Sequence, residues 1–342
     1  MKLRPLGRSG IDASVIGFGA WAIGGWTWGG ADEQESIRAI HAFLDAGGNL
    51  IDTAPIYGFG RSEEIVGKAI ADRRDRVLLA TKCAMRWDLS EAQKQRAAAK
   101  FTTTRENIDW SGKPGEDSFQ VSIYNGRDGI REEVERSLTR LRTDVIDLYQ
   151  THWQDDATPI AERMGALEEL RSEGKIRAIG VSNATPAQMA EYDGYGQLDS
   201  DQEKYSMLDR GMEKTNLPVC AEKRIAFLAY SPLGQGLLTG RITRDTEFAP
   251  GDQRRFKARF GKDNIDRVQT MLAPMQRLAE ARGISLAQLT MAWTLGRRGC
   301  SHVLCGARNA RQAADNAAAG SIELTSEEME MMTRAADSWD GV

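Results

Sequence analysis

The sequence predicts a (β/α)8 barrel of parallel strands, with a small N-terminal β-hairpin and long loops on the C-terminal face. Short runs rich in Val, Ile and Leu alternate with longer amphipathic stretches, the pattern of βα units around a parallel sheet. Eight such runs follow one another, the number this barrel requires. The 342 residues show no linker between compositional halves, and α/β barrels of this length are routinely one domain. A single domain over 1–342 is therefore expected.

Taken in order, Lys2-Leu3-Arg4 and Asp12-Ala13-Ser14 flank Gly7 and Gly10 and read as the hairpin. Strands are expected at Val15–Gly19, Asn49–Asp52, Val77–Lys82, Val145–His152, Ile176–Asn183, Gln197–Gln202, Ile225–Ser231 and Ser301–Gly306. Asp32 is placed to cap a helix over Glu33–Ala46, with Ile37, Ile40 and Leu44 at helical spacing and Gly47-Gly48 as its stop. Ser62–Arg73 repeats the pattern. Thr158-Pro159 opens a helix with proline at its first turn, and Gly174 ends it. Asp263–Arg282 and Ser285–Leu295 are the late helices.

Two segments break the rhythm. Residues 84–126 and 231–262 carry Gly, Pro, Ser, Asn and Asp without a period. Long loops in compact domains tend to be functional or disordered. On a barrel's catalytic face, the first would form a substrate wall and the second a cofactor lid; solvated insertions are the alternative. Gly17-Phe18-Gly19-Ala20-Trp21-Ala22 fits the GxGxxA spacing of a dinucleotide-binding turn. No helix can follow it directly, because Gly24-Gly25-Trp26-Thr27-Trp28-Gly29-Gly30 is a poor helix segment. The strand-ending acid, Asp52, also lies well past the roughly 20 positions expected.

Composition narrows the partners. Net charge is −4, with 41% apolar and 27% charged residues, so neither nucleic acid nor a membrane surface is an expected partner. The four cysteines form no CxxC pair and the three histidines no zinc spacing. Reduced thiols and no metal are expected. The N-terminus lacks the apolar core of a signal peptide, and no apolar run is long enough to span a bilayer, which points to the cytoplasm.

Four residues at strand ends carry the chemistry: Asp52, Tyr57 in the following loop, Lys82 and His152. In a parallel barrel these ends meet on one face. A carbonyl that receives hydride becomes an alkoxide and needs a proton. Tyr57 is the candidate acid, with an ordinary phenol pKa of about 10. A partly desolvated Lys82 ammonium would lower that value, Asp52 would keep Lys82 charged and oriented, and His152 would hold the carbonyl oxygen.

These stretches resemble the aldo-keto reductases. Gly17-Phe18-Gly19-Ala20-Trp21, Ile51-Asp52-Thr53-Ala54-Pro55-Ile56-Tyr57-Gly58, Thr81-Lys82 and Asp147-Leu148-Tyr149-Gln150-Thr151-His152 match the family's first four strand ends. The resemblance implies the family's tetrad at Asp52, Tyr57, Lys82 and His152. It also implies a coenzyme cradle. Ala20, Trp21 and Asp52 would lie against it, and Ser182, Asn183 and Gln202 would hold the nicotinamide carboxamide. Tyr230 would stack on the ring, and Ser231, Leu233, Gln235, Gly236 and Gly240 would clamp the pyrophosphate. Gly306, Arg308, Gln312 and Asn316 would take the adenosine end, with Arg308 on a 2′-phosphate. NADPH (NADP+) is the implied coenzyme, with NADH possible. Cys305 stands where many relatives have proline.

The subgroup resembled is that of potassium-channel β-subunits and general-stress aldo/keto reductases. The implied substrate is a small-molecule aldehyde or ketone: a sugar, a cyclitol or a bulky ketone. Trp21, Trp87 and Trp153 flank motif residues and are the expected pocket walls; Trp26 and Trp28 also lie near that face. Arg86 and Arg127 are candidates for a carboxylate clamp. Two other readings stay open: NAD(P)-dependent oxidation of a sugar or cyclitol, and an NADP(H)-binding regulatory subunit. The latter needs a pairing surface, and none is evident in the sequence.

Overall fold

In a computed structural model describing residues 1–105 and 117–339, the hairpin comes first. β1 (Leu3–Pro5) pairs antiparallel with β2 (Asp12–Ser14). Leu6 and Ile11 between them pack with Leu50, Leu148, Leu228 and Leu304 from four barrel strands, so the hairpin plugs the barrel bottom. Gly7 is required there: at φ +61°, a Cβ would lie 2.0 Å from the carbonyl oxygen of Asp199.

The chain then runs β3 (Ile16–Gly19), α1 (Glu33–Asp45), β4 (Leu50–Asp52), α2 (Arg61–Ile70) and β5 (Leu78–Cys83). A side excursion follows, built from β6 (Met85–Arg86), α3 (Glu91–Lys94), β7 (Ala98–Thr103) and β8 (Phe119–Ile123). The barrel resumes with α4 (Arg127–Leu141), β9 (Ile146–Thr151), α5 (Ile160–Ser172), β10 (Ile176–Ser182), α6 (Pro186–Tyr195), β11 (Ser200–Lys204), α7 (Asn216–Lys223) and β12 (Ala226–Tyr230). It ends with α8 (Lys262–Arg282), α9 (Leu286–Gly296), β13 (Cys300–Cys305), α10 (Ala310–Ala318) and α11 (Ser326–Asp337).

Strands β3, β4, β5, β9, β10, β11, β12 and β13 close into a parallel barrel in that order, with β13 pairing back to β3. All eight expected runs are strands. The larger apolar cluster lies between this barrel and its helices, with Phe18, Ile51, Leu79, Tyr149, Val181 and Phe227 facing outward into it. Asp32 caps α1 through the Glu35 amide. Pro159 precedes α5 as its cap residue and is not in the first turn; Pro186 occupies that position in α6 behind a Thr185 capping box. α2 stops at Ile70, and the chain then turns through Arg74–Arg76. After Trp21 only a single 3-10 turn, Ala22–Gly24, follows.

Residues 84–126 depart from the irregular loop expected. Their described part contains an antiparallel sheet in the order β6-β8-β7, while 106–116 lie outside the described residues. Its signal was weak because β6 spans two residues and β7, Ala-Ala-Lys-Phe-Thr-Thr, lacks clean alternation. Its register with β8 shifts between Ala99 and Phe101. The 231–262 segment contains 3-10 turns at Gly234–Thr239, Gln253–Phe256 and Ala258–Phe260.

Candidate active site

β4 and β5 are adjacent parallel strands, with Asp52 opposite Ala80. This brings Asp52, the last residue of β4, beside Lys82. The Lys82 ammonium is fully buried and donates to both Asp52 oxygens at 2.9 and 2.7 Å and to the Thr53 carbonyl at 2.8 Å. It lies 3.4 Å from the Tyr57 hydroxyl. Gln202 and Gln150 donate to the same Asp52 oxygen at 2.8 and 3.3 Å. The carboxylate is thus held by a charge and two amides, as a buried anion must be.

The Tyr57 loop is fixed by backbone against backbone. Gly58 has φ +70°, and a Cβ there would meet the Gly24 carbonyl oxygen at 2.3 Å. A Cβ on Gly24 would reach the Tyr57 carbonyl oxygen at 2.6 Å. The phenol ring stands edge-on to the His152 imidazole at 5.9 Å between centroids.

Burial pushes the Tyr57 phenol well above its ordinary pKa, and the negative Asp52 adds to the rise. This reverses the direction expected from the sequence. The Lys82 charge is engaged by Asp52, so its pull on the phenol is offset by the carboxylate beside it. Burial lowers the Lys82 pKa, against the opposing attraction of Asp52. Burial, followed by the charges of Lys82 and Lys100, drives His152 well below the usual imidazole range. At neutral pH the site therefore presents a protonated phenol and a neutral imidazole.

A cavity of about 670 Å³ opens above these groups. One side is aromatic and apolar: Trp21, Trp26, Trp28, Met85, Phe101 and Trp153 line it. The other side runs over β10 to β13. Ser182 donates to the Gln202 carbonyl at 2.7 Å, and Asn183 donates to the His152 carbonyl at 3.0 Å and accepts from the Tyr230 hydroxyl at 3.0 Å. Asn183 sits at φ +55°; the next amide, Ala184, is held by Glu203 at 2.8 Å. Beyond Tyr230 the chain turns sharply, with positive φ at Ser231, Gln235 and Gly236. Leu233 also lines this part. At the far end, Gly306, Arg308, Gln312 and Asn316 share the wall. The Arg308 amide donates to Gln312 at 2.9 Å, and its guanidinium reaches the Gly30 carbonyl at 2.9 Å. Cys305 is buried at the end of β13.

Several expected residues stand elsewhere. Ala20 is behind the wall, its amide on the Asp52 carbonyl at 2.8 Å. Gly240 ends the turn at φ +71°, and its neighbours Thr239 and Arg241 do the lining. Trp87 is off the wall and packs edge-on against Phe59 at 5.3 Å, because β6 carries Met85 to the cavity instead. Arg86 is buried on Asp88 and Glu132, and Arg127 pairs with Glu169 at 2.7 Å, so neither is available as a carboxylate clamp.

Sequence reasoning missed Gln150, although it shares a strand face with His152 two residues on. It also missed the arginines Arg241, Arg254 and Arg311, which line the cavity with Arg308. Arg254 is held by Asp252 at 2.6 Å, and the remaining guanidinium groups, those of Arg241, Arg308 and Arg311, suit a diphosphate-bearing ligand. Among the described residues no His/Cys/Asp/Glu cluster could hold a metal, and no helix is long and apolar enough to cross a membrane.

Comparison with known proteins agrees with this geometry. Residues 15–337 match the aldo/keto reductase family. "Aldo-keto reductase YhdN" of Bacillus subtilis (strain 168) is 41% identical, over 91% of this chain and 86% of that protein. "NADH-specific methylglyoxal reductase" of Escherichia coli (strain K12) is also 41% identical, over 99% of each. Among solved structures, the glycerol dehydrogenase AKR11B4 from Gluconobacter oxydans superposes with a TM-score of 0.83 at 37% identity, covering 97% of this chain and 94% of that one.

Proposed function

The chain belongs to the aldo/keto reductase family and is an NAD(P)H-dependent oxidoreductase, and on that premise we propose that it reduces a small aldehyde or ketone to the alcohol as a single domain over 1–342. The observation that carries this reading is the 3.4 Å approach of the Lys82 ammonium to the Tyr57 hydroxyl at the floor of the cavity. NADPH, when bound, supplies the hydride. Ser182, Asn183 and Gln202 would orient its carboxamide and Tyr230 its ring. The turn from Ser231 to Gly236, with Arg241, would meet the pyrophosphate. Tyr57 gives its proton to the alkoxide oxygen, and Lys82 stabilises the phenolate left behind. Neutral His152 offers a ring N–H to the same oxygen. Trp21 and Trp153 would enclose the substrate, a sugar, a cyclitol or a bulky ketone.

A panel of carbonyls and polyols, assayed with both coenzymes, tests this. NADPH should be oxidised by at least one aldehyde or ketone. Coenzyme binding without turnover of any member would favour the regulatory-subunit reading instead. Polyol oxidation is the second reading within the same site, supported by the likeness to a glycerol dehydrogenase.

Coenzyme choice rests on the arginine arm. The Escherichia coli relative at 41% identity is an NADH-specific reductase, so NADH is a real competitor. Arg308→Ala is expected to lower the NADPH-over-NADH preference in kcat/KM by about tenfold, the scale of one lost charged hydrogen bond. An unchanged ratio would remove Arg308 as the discriminator.

A further inference from the structure

Lys100 lies on the side sheet and outside every motif discussed above. Where β7 pairs with β8, Ala99 faces Ser122 and Phe101 faces Val121, so Lys100 is the extra residue of a β-bulge. A bulge breaks strand alternation and re-aims a side chain, and bulges are frequent beside active sites. Here Phe101 lines the cavity. The Lys100 ammonium sits 3.4 Å from the centre of the Trp153 ring, itself part of the cavity wall. Its charge is near enough to help depress the pKa of His152.

Among the described residues Lys100 has no carboxylate partner. The acids of this region are engaged elsewhere: Asp88 with Arg86 and Arg136, Glu132 with the same two arginines, and Glu162 with Arg96. Arg105, on the same excursion, stacks on Phe59 and Phe119 at 5.5 and 5.8 Å. The bulge thus sets a cation against the Trp153 wall of an apolar, aromatic cavity whose floor holds the proton donor. A cation resting on an aromatic ring remains open to an anion on its other side.

We propose that the bulge at Lys100 builds an anion subsite at the substrate mouth, selecting carbonyl substrates that carry a carboxylate or phosphate group. This rests on the reductase reading of the same cavity. An oxo-acid or an aldose phosphate would lay its carbonyl between Tyr57 and His152 and its anion against Lys100.

The test compares matched pairs in the full-length protein with NADPH: 4-oxobutanoate against butanal for the carboxylate, and glyceraldehyde 3-phosphate against glyceraldehyde for the phosphate. Wild type should prefer the anionic member of at least one pair, and the pair showing it identifies the anion. Lys100→Met keeps the apolar stem and removes the charge. It is expected to cut that preference in kcat/KM about tenfold, through KM, as loss of one charged hydrogen bond would. Lys100→Arg should retain the preference and Lys100→Glu should invert it. A wild type that turns over the neutral aldehydes without preferring either anion, or a preference that Lys100→Met leaves unchanged, overturns the subsite alone. Absence of turnover with neutral and anionic aldehydes alike, with NADPH and NADH, overturns the subsite; the reductase reading falls with it only when the full carbonyl panel is silent as well.

Discussion

Tyr57→Phe is expected to lower kcat for carbonyl reduction by about 10³-fold while NADPH affinity stays within about twofold, since positioned general acids contribute 10²–10⁴. That loss corresponds to about 4 kcal/mol of barrier. The substitution removes one hydroxyl and leaves the ring, its contact with His152 and the Gly24–Gly58 backbone packing in place. The pH dependence has a definite sign. Burial and Asp52 raise the phenol pKa, so Tyr57 stays protonated through the neutral range. Reduction needs the protonated form and should be flat there, falling only at strongly alkaline pH. Oxidation of an alcohol needs the phenolate and should rise with pH. Both limbs should vanish in Tyr57→Phe. Paired profiles of kcat/KM in the two directions check this, and a variant with near-normal kcat would assign the proton to another group.

Lys82→Met is expected to be the most damaging single change to stability. Lys82 is fully buried, and its loss leaves Asp52, 3% exposed, with only amide partners. Removing one partner of a buried ion pair costs about 3–5 kcal/mol. Equilibrium urea unfolding should register that cost. The double variant Asp52→Asn with Lys82→Met should recover most of the stability, because no uncompensated charge remains. Reduction should nevertheless stay impaired, because no ammonium faces the phenolate that proton transfer creates. Recovery of activity together with stability would make the pair structural.

The barrel was legible because burial forces a period on the chain. Runs such as Val77–Lys82 and Val145–His152 are covered on both faces and read as continuous apolar segments ending in polar residues. The strand ends therefore located Asp52, Lys82 and His152 directly. The electrostatics were less legible: the sequence offers an ammonium to Tyr57, but only the distances reveal that Asp52 holds it more closely. Gln150 was within reach of strand alternation. Arg241 and Arg254 were not, because they come from the loop after β12, whose course follows positive φ at Ser231, Gln235 and Gly236, and Arg311 reaches the cavity only because the Asn309 cap starts α10 beside it. The side sheet escaped for a related reason. A bulge at Lys100 and a two-residue β6 leave little alternation to read, and that same irregularity moves Trp87 off the wall.

The central claim is that hydride and proton meet the substrate carbonyl over Tyr57. Its most direct test is product analysis by mass spectrometry after reduction with NADPH deuterated on the transferred C4 position, using the best aldehyde of the panel. The expected result is one deuterium bonded to carbon in the product alcohol for wild type, and no product from Tyr57→Phe on the same timescale. Coenzyme that stays bound and unoxidised with every carbonyl, or an alcohol without deuterium on carbon, would contradict it.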